Sequence, residues 1–107
     1  MNCLNLDGHA PTFVKKLVDT SAPLNGEATF TVEFEGNPVP EVKWFRNGME
    51  LSSSGRYRIS TKPNEFKSTL IFNEAWDTDN NSKISCEIVN PLGRETCEAT
   101  FTVKSKK

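Results

Sequence analysis

Between Ala28 and Glu35 the chain reads ATFTVEFE, an unbroken alternation of apolar and polar side chains. Ala28, Phe30, Val32 and Phe34 fall on one side, and Thr29, Thr31, Glu33 and Glu35 on the other. Successive side chains of a β-strand point to opposite faces, so this period of two defines a strand with one apolar and one wettable surface. The apolar surface must meet another layer, while the Thr/Glu surface can face water. A fold built around this stretch needs at least two packed layers.

The remainder of the chain has the same grain. Phe13 and Leu17 mark a first strand, closed by a turn at Asn25-Gly26. GNPVP (36–40) forces a bend, because prolines are kept out of interior ladder positions. Val42 and Trp44 share one face of the next strand, and RNG (46–48) reads as a tight turn. After the loop Ser52–Gly55 come Tyr57 and Ile59, then Leu70 and Phe72, then Ile84, Cys86 and Ile88. Asn90-Pro91-Leu92-Gly93 forms a hairpin turn, and Cys97, Ala99, Phe101 and Val103 alternate to the end. About seven short strands with Gly, Pro and Asn turns between them, and no sustained helical spacing, predict an all-β sandwich. The 107 residues make one domain, large enough to bury roughly two-thirds of its unfolded surface. Residues 1–10 are polar and read as a leader or linker, 11–104 as the domain, and 105–107 as a solvated tail.

In this order and spacing, PTF (11–13), G-x-P-x-P-x-V-x-W (36–44), N-G (47–48), L-x-F (70–72), Asp79, Cys86, N-x-x-G (90–93) and F-x-V (101–103) resemble an immunoglobulin domain of the I-set. The likeness covers residues 11–104, and PEVKWFRNG (40–48) is especially similar to the Ig modules of the titin, twitchin and obscurin family of giant muscle proteins. The resemblance implies a Greek-key, Ig-like β-sandwich of two antiparallel sheets. Its core would hold Phe30, Val32, Phe34, Trp44, Leu70, Phe72, Ile84, Cys86, Phe101 and Val103.

Two positions depart from the family pattern. Val32 stands where the family often has a cysteine, leaving Cys86 without an inter-sheet partner. A secreted domain would be expected to keep that bridge, whereas a reducing compartment cannot rely on it. Ile84 stands where the family places a tyrosine that closes the corner before Cys86. A looser corner is therefore expected, with Asp79 or Asn80 supplying local hydrogen bonds, and with Trp76 partly exposed.

Sites of chemistry are sparse. The chain has three cysteines, too few for a disulfide framework. Folding the hairpin about Pro91-Leu92 sets Cys86 opposite Cys97, a candidate cross-strand thiol pair. Directly opposed residues suit disulfide geometry poorly, so two reduced, buried thiols are expected, with a strained, redox-sensitive bridge as the alternative. The single histidine, His9, lies in the leader and has no nucleophile held against it. Cys3 and His9 make no tetrahedral site, and Asp77, Asp79 and Asn80 lack an EF-hand pattern for calcium. No catalytic residue, metal or cofactor is expected, and the domain is not expected to be an enzyme. Asn80-Asn81-Ser82 is a glycosylation sequon, used only if the chain is secreted.

Thirteen basic and fourteen acidic residues give a net charge of −1, and Lys43, Arg46, Arg56, Arg58 and Lys67 are interspersed with acids as a solubilising surface. That excludes a basic stripe for nucleic acid or an anionic membrane. No run reaches the ~18 apolar residues of a membrane helix, and MNCLNLDGHA does not read as a signal peptide. The expected function is that of a non-catalytic structural and docking module in a tandem array of a large intracellular muscle or cytoskeletal protein. Its partners would be proteins and neighbouring Ig or fibronectin-like modules, and the isolated domain would be monomeric. PTFVKK (11–16) and ATFTVK (99–104) are the strands expected to share the load. An extracellular adhesion or receptor domain, and an accessory domain of a myosin light-chain kinase-like protein, are the alternatives.

Overall fold

Nine strands, and no α-helix among the described residues, form the computed structural model, which describes residues 8–104. They are β1 His9–Lys15, β2 Thr20–Pro23, β3 Ala28–Asn37, β4 Glu41–Arg46, β5 Met49–Glu50, β6 Tyr57–Lys62, β7 Lys67–Phe72, β8 Ser82–Asn90 and β9 Gly93–Lys104. One sheet runs β1-β3-β7-β6 and the other β2-β9-β8-β4-β5. The alternating ATFTVEFE stretch is the centre of the first sheet. Ala28, Phe30, Val32 and Phe34 are all buried against the facing sheet.

The core between the sheets is aromatic. Phe72 and Phe101 meet at a 54° tilt with ring centroids 4.8 Å apart, and Phe30 meets Phe101 edge-on at 5.4 Å. Such edge-to-face pairs add about 0.5–1.5 kcal/mol beyond the area they bury. Trp44, fully buried from the opposite sheet, reaches across to donate its indole N–H to Ser68 Oγ at 2.9 Å. That polar tie fixes the two layers in one register, since a buried indole N–H needs an acceptor. At the β4–β5 turn, Asn47 (φ 50°) and Gly48 (φ 87°) adopt the left-handed conformations a two-residue hairpin demands.

Four sequence expectations are corrected. The N-terminal segment forms two strands, β1 and β2, where one was expected, because Leu17 turns into the core after Lys15. PTFVKK consequently does not pair with ATFTVK: β1 runs antiparallel to β3, and it is β2 that lines up with the end of β9. The β2–β9 pair is parallel, so the second sheet is not wholly antiparallel. Finally, the corner before β8 is not loose; Asp79 is fully buried within it.

Candidate functional site: the terminal-strand clamp and its corner

The shared edge of β2 and β9 places Thr20, Ser21, Ala22 and Pro23 beside Phe101, Thr102, Val103 and Lys104 in turn. Leu24 N–H extends the ladder to Lys104 C=O at 3.1 Å. Side chains brace both ends of the seam: Asp19 accepts from Thr100 N–H at 2.9 Å, and Asn80 Oδ1 from Val103 N–H at 2.8 Å. Ala22, Phe101 and Val103 bury their side chains beneath it, while Ser21, Pro23 and Lys104 are exposed on its outer side.

The clamp lies between His9 and Lys104, near the two ends of the described residues. His9 sits beside the β8–β9 hairpin, where Asn90 Nδ2 donates to His9 C=O at 2.9 Å and to Pro38 C=O at 3.0 Å. Lys104 lies at the opposite end of β9, whose twelve residues span about 36 Å at the usual rise of a twisted strand. Tension applied between these points would act along the β2–β9 and β1–β3 ladders. In that geometry several hydrogen bonds are loaded together.

Asp79 anchors the corner that supplies Asn80. The Asp79 carboxylate accepts two bonds from Arg56, at 2.8 and 3.2 Å, and one from Trp76 N–H at 2.8 Å. Arg46 closes the cluster with an ion pair at 3.1 Å. Burial by itself would push the Asp79 carboxyl up; the Arg56 bonds, the Trp76 N–H and the two guanidinium charges outweigh it and hold it below the usual range. Arg46 also donates to Ser82 Oγ, Tyr57 Oη and Thr78 C=O. One acid thus joins β4, the residue before β6 and the turn before β8, while Ile84, at the position of the expected tyrosine, is fully buried. Trp76, 46% exposed, lies with its ring 3.8 Å beneath the Arg56 guanidinium.

Arg46 and Arg56, expected on the solubilising surface, instead converge on Asp79. Their role was hidden because their acidic partner lies 33 and 23 residues away. A buried Asp needs a cation, and that was the one available signal.

The ten expected core residues occupy the space between the sheets, each at most 6% exposed. Cys86 and Cys97 are directly opposed in register, and both are free thiols. Burial first, then the neighbouring Cys97 and Glu87, pushes the Cys86 thiol far up; burial also raises Cys97, against the Leu17 backbone bond and Lys16. Cys3 lies outside the described residues, and His9 is the first residue of β1. Among the described residues no cluster of three or more His, Cys, Asp or Glu could hold a metal ion, and both Asp79 oxygens are taken by arginines. The sequon's Ser82 is buried, whereas Asn80 is exposed and its Oδ1 accepts from Val103 N–H. No helix among the described residues is long and apolar enough to cross a membrane.

Two packed sheets, an interlayer tryptophan and a parallel seam between β2 and the last strand define an immunoglobulin-like sandwich. The chain belongs to the immunoglobulin I-set family, whose domain model matches residues 11–103. It is 35% identical over 95 residues to smooth-muscle myosin light chain kinase of Gallus gallus, covering 89% of this chain and 5% of the kinase. It is 28% identical over 96 residues to titin of Drosophila melanogaster, covering 90% of this chain and a far smaller share of titin. A titin–obscurin-like 1 Ig complex matches with a TM-score of 0.87 at 24% identity, covering 94% of this chain and 99% of the other. The chain is therefore similar to the Ig modules of titin-like muscle proteins. It spans a twentieth or less of those two curated relatives.

Proposed function

We propose that this domain is a non-catalytic, load-bearing and docking module in a tandem array of a large muscle or cytoskeletal protein of the cytoplasm or sarcomere. The observation that carries the reading is the β2–β9 clamp, loaded in shear when the chain is drawn from its two ends. Family membership and the muscle-protein relatives support it. The titin–obscurin-like 1 complex supports docking between modules of this fold. A free Cys86 behind Val32 supports a compartment where a bridge is not required.

The test is force spectroscopy on tandem repeats of the domain, drawn end to end. Evenly spaced unfolding events well above the forces that open helical modules are expected. Leu24→Pro, which removes the terminal Leu24–Lys104 bond, should lower those forces. Low forces unaffected by Leu24→Pro would sink the load-bearing role.

A second reading, an accessory domain of a myosin light-chain kinase-like protein, is favoured by the 35% identity to that kinase. It predicts a kinase catalytic domain in the parent polypeptide.

A further inference from the structure

The two sheets have four edges, and three of them are partly covered or short. On β1, Phe13 N–H is held by Glu95 Oε1 at 2.8 Å. On β6, Tyr57 C=O accepts from Ser54 N–H and Ile59 N–H donates to Ser53 Oγ, so the loop 52–55 covers the first half of its edge. The β2 strand is four residues long and ends on Pro23. The β4 edge is different: β5 pairs only with Phe45 and Arg46, and Leu51 N–H then caps Trp44 C=O at 2.8 Å. Beyond that point the chain turns away.

The parity of the ladder identifies what remains open. Asn47 N–H bonds to Lys83 C=O on β8, and Trp44 C=O bonds outward to Leu51. Odd-numbered β4 residues therefore face β8, and Val42 presents both its N–H and its C=O to the open side. Its flanking neighbours, Glu41 and Lys43, are exposed on the sheet's outer surface. No ion pair involves either of them among the described residues. Lys43 lies opposite Glu87, but Glu87 is already paired with Arg94 at 3.2 Å.

We propose that this open edge pairs with the same edge of a second copy of the chain, antiparallel about a two-fold axis through Val42. Val42 would then exchange both backbone bonds with the partner copy's Val42. The adjoining pairs set Glu41 against Lys43 of the other copy, twice. These are the non-hydrogen-bonded positions, where cross-strand side chains come closest. A parallel arrangement would put like charge on like. Edges that resist pairing carry charges that repel an incoming strand; the Glu-Val-Lys order instead complements itself. Leu51 at one side and Pro40 at the other confine the contact to these three residue pairs, so the dimer is weak. An effective concentration in the millimolar range, as between linked modules, would bring it into play. That consequence rests on the array reading above; the pairing itself is a property of the single domain and is tested on it.

The experiment is sedimentation equilibrium of the 107-residue chain up to near-millimolar concentration, with thermal melts to verify folding. A monomer–dimer equilibrium is expected. Glu41→Lys and Lys43→Glu should each turn both ion pairs repulsive and weaken dimerisation by about tenfold or more. Mixing the two variants should restore association, because each supplies what the other lost. Monomer throughout for the unaltered chain would overturn the proposal. So would dimerisation indifferent to either charge reversal, or two singly altered chains that fail to associate when mixed.

Discussion

Replacing Asp79 with alanine tests whether the buried corner holds the fold. The side chain has no exposed surface, and Arg46 and Arg56, its two cationic partners, are 23% and 18% exposed. Removing one partner from a buried charge pair costs about 3–5 kcal/mol, since the other charge is left unpaired. Here the guanidiniums regain some water through their exposed parts, which favours the lower end, about 3 kcal/mol. The lost acceptor of Trp76 N–H falls within that figure. For a domain of this size about 3 kcal/mol lowers Tm by about 15 °C. Urea titration at pH 7, followed by tryptophan fluorescence and checked by calorimetry, measures it. Glu98→Ala serves as the control, because its pair with Lys83 is 3.6 Å long and more than half exposed on both sides; it should cost under about 0.5 kcal/mol. A loss below about 1 kcal/mol for Asp79→Ala would refute the argument, because the cluster would then behave as a surface pair.

The same carboxylate sets an acid limit. Its folded pKa lies below the ordinary 3.8, so its stabilisation is fully present above that value and is lost as pH falls through the folded pKa. Melts from pH 6 to 2 should fall more steeply for the unaltered chain than for Asp79→Asn; parallel curves would show that Asp79 is not the group involved. In a Cys3→Ser background, the raised thiols of Cys86 and Cys97 should resist iodoacetamide until urea unfolds the domain, whereas rapid labelling of the native state would contradict their burial. Trp44→Phe removes the bond to Ser68 Oγ, itself 2.8 Å from Thr61 Oγ1, and leaves a small void. A cost of about 1–3 kcal/mol is expected by denaturant titration, and a neutral change would mean the interlayer tie contributes nothing.

Local pattern made much of this protein legible. Period-two alternation marked the strands, because a pleated strand in a sandwich has one wet face. The short Asn90–Gly93 turn fixed the register of the last hairpin, and with it the Cys86–Cys97 opposition, because a two-residue loop leaves no slack. The Asn47-Gly48 turn was readable for the same reason. What the sequence did not disclose depends on residues far apart. Whether PTFVKK met β3 or β9 was decided where Leu17 enters the core, and no local propensity encodes which sheet the next segment joins. Arg46, Arg56 and Asp79 look like three solvated charges until the fold brings them together around a space that excludes water. Ser68 is an ordinary strand serine until the opposite sheet delivers an indole N–H to it. Hydrophobic pattern and turn chemistry act between neighbours and can be read along the chain. Burial of charge and the pairing of β2 with the last strand arise only when the two sheets close.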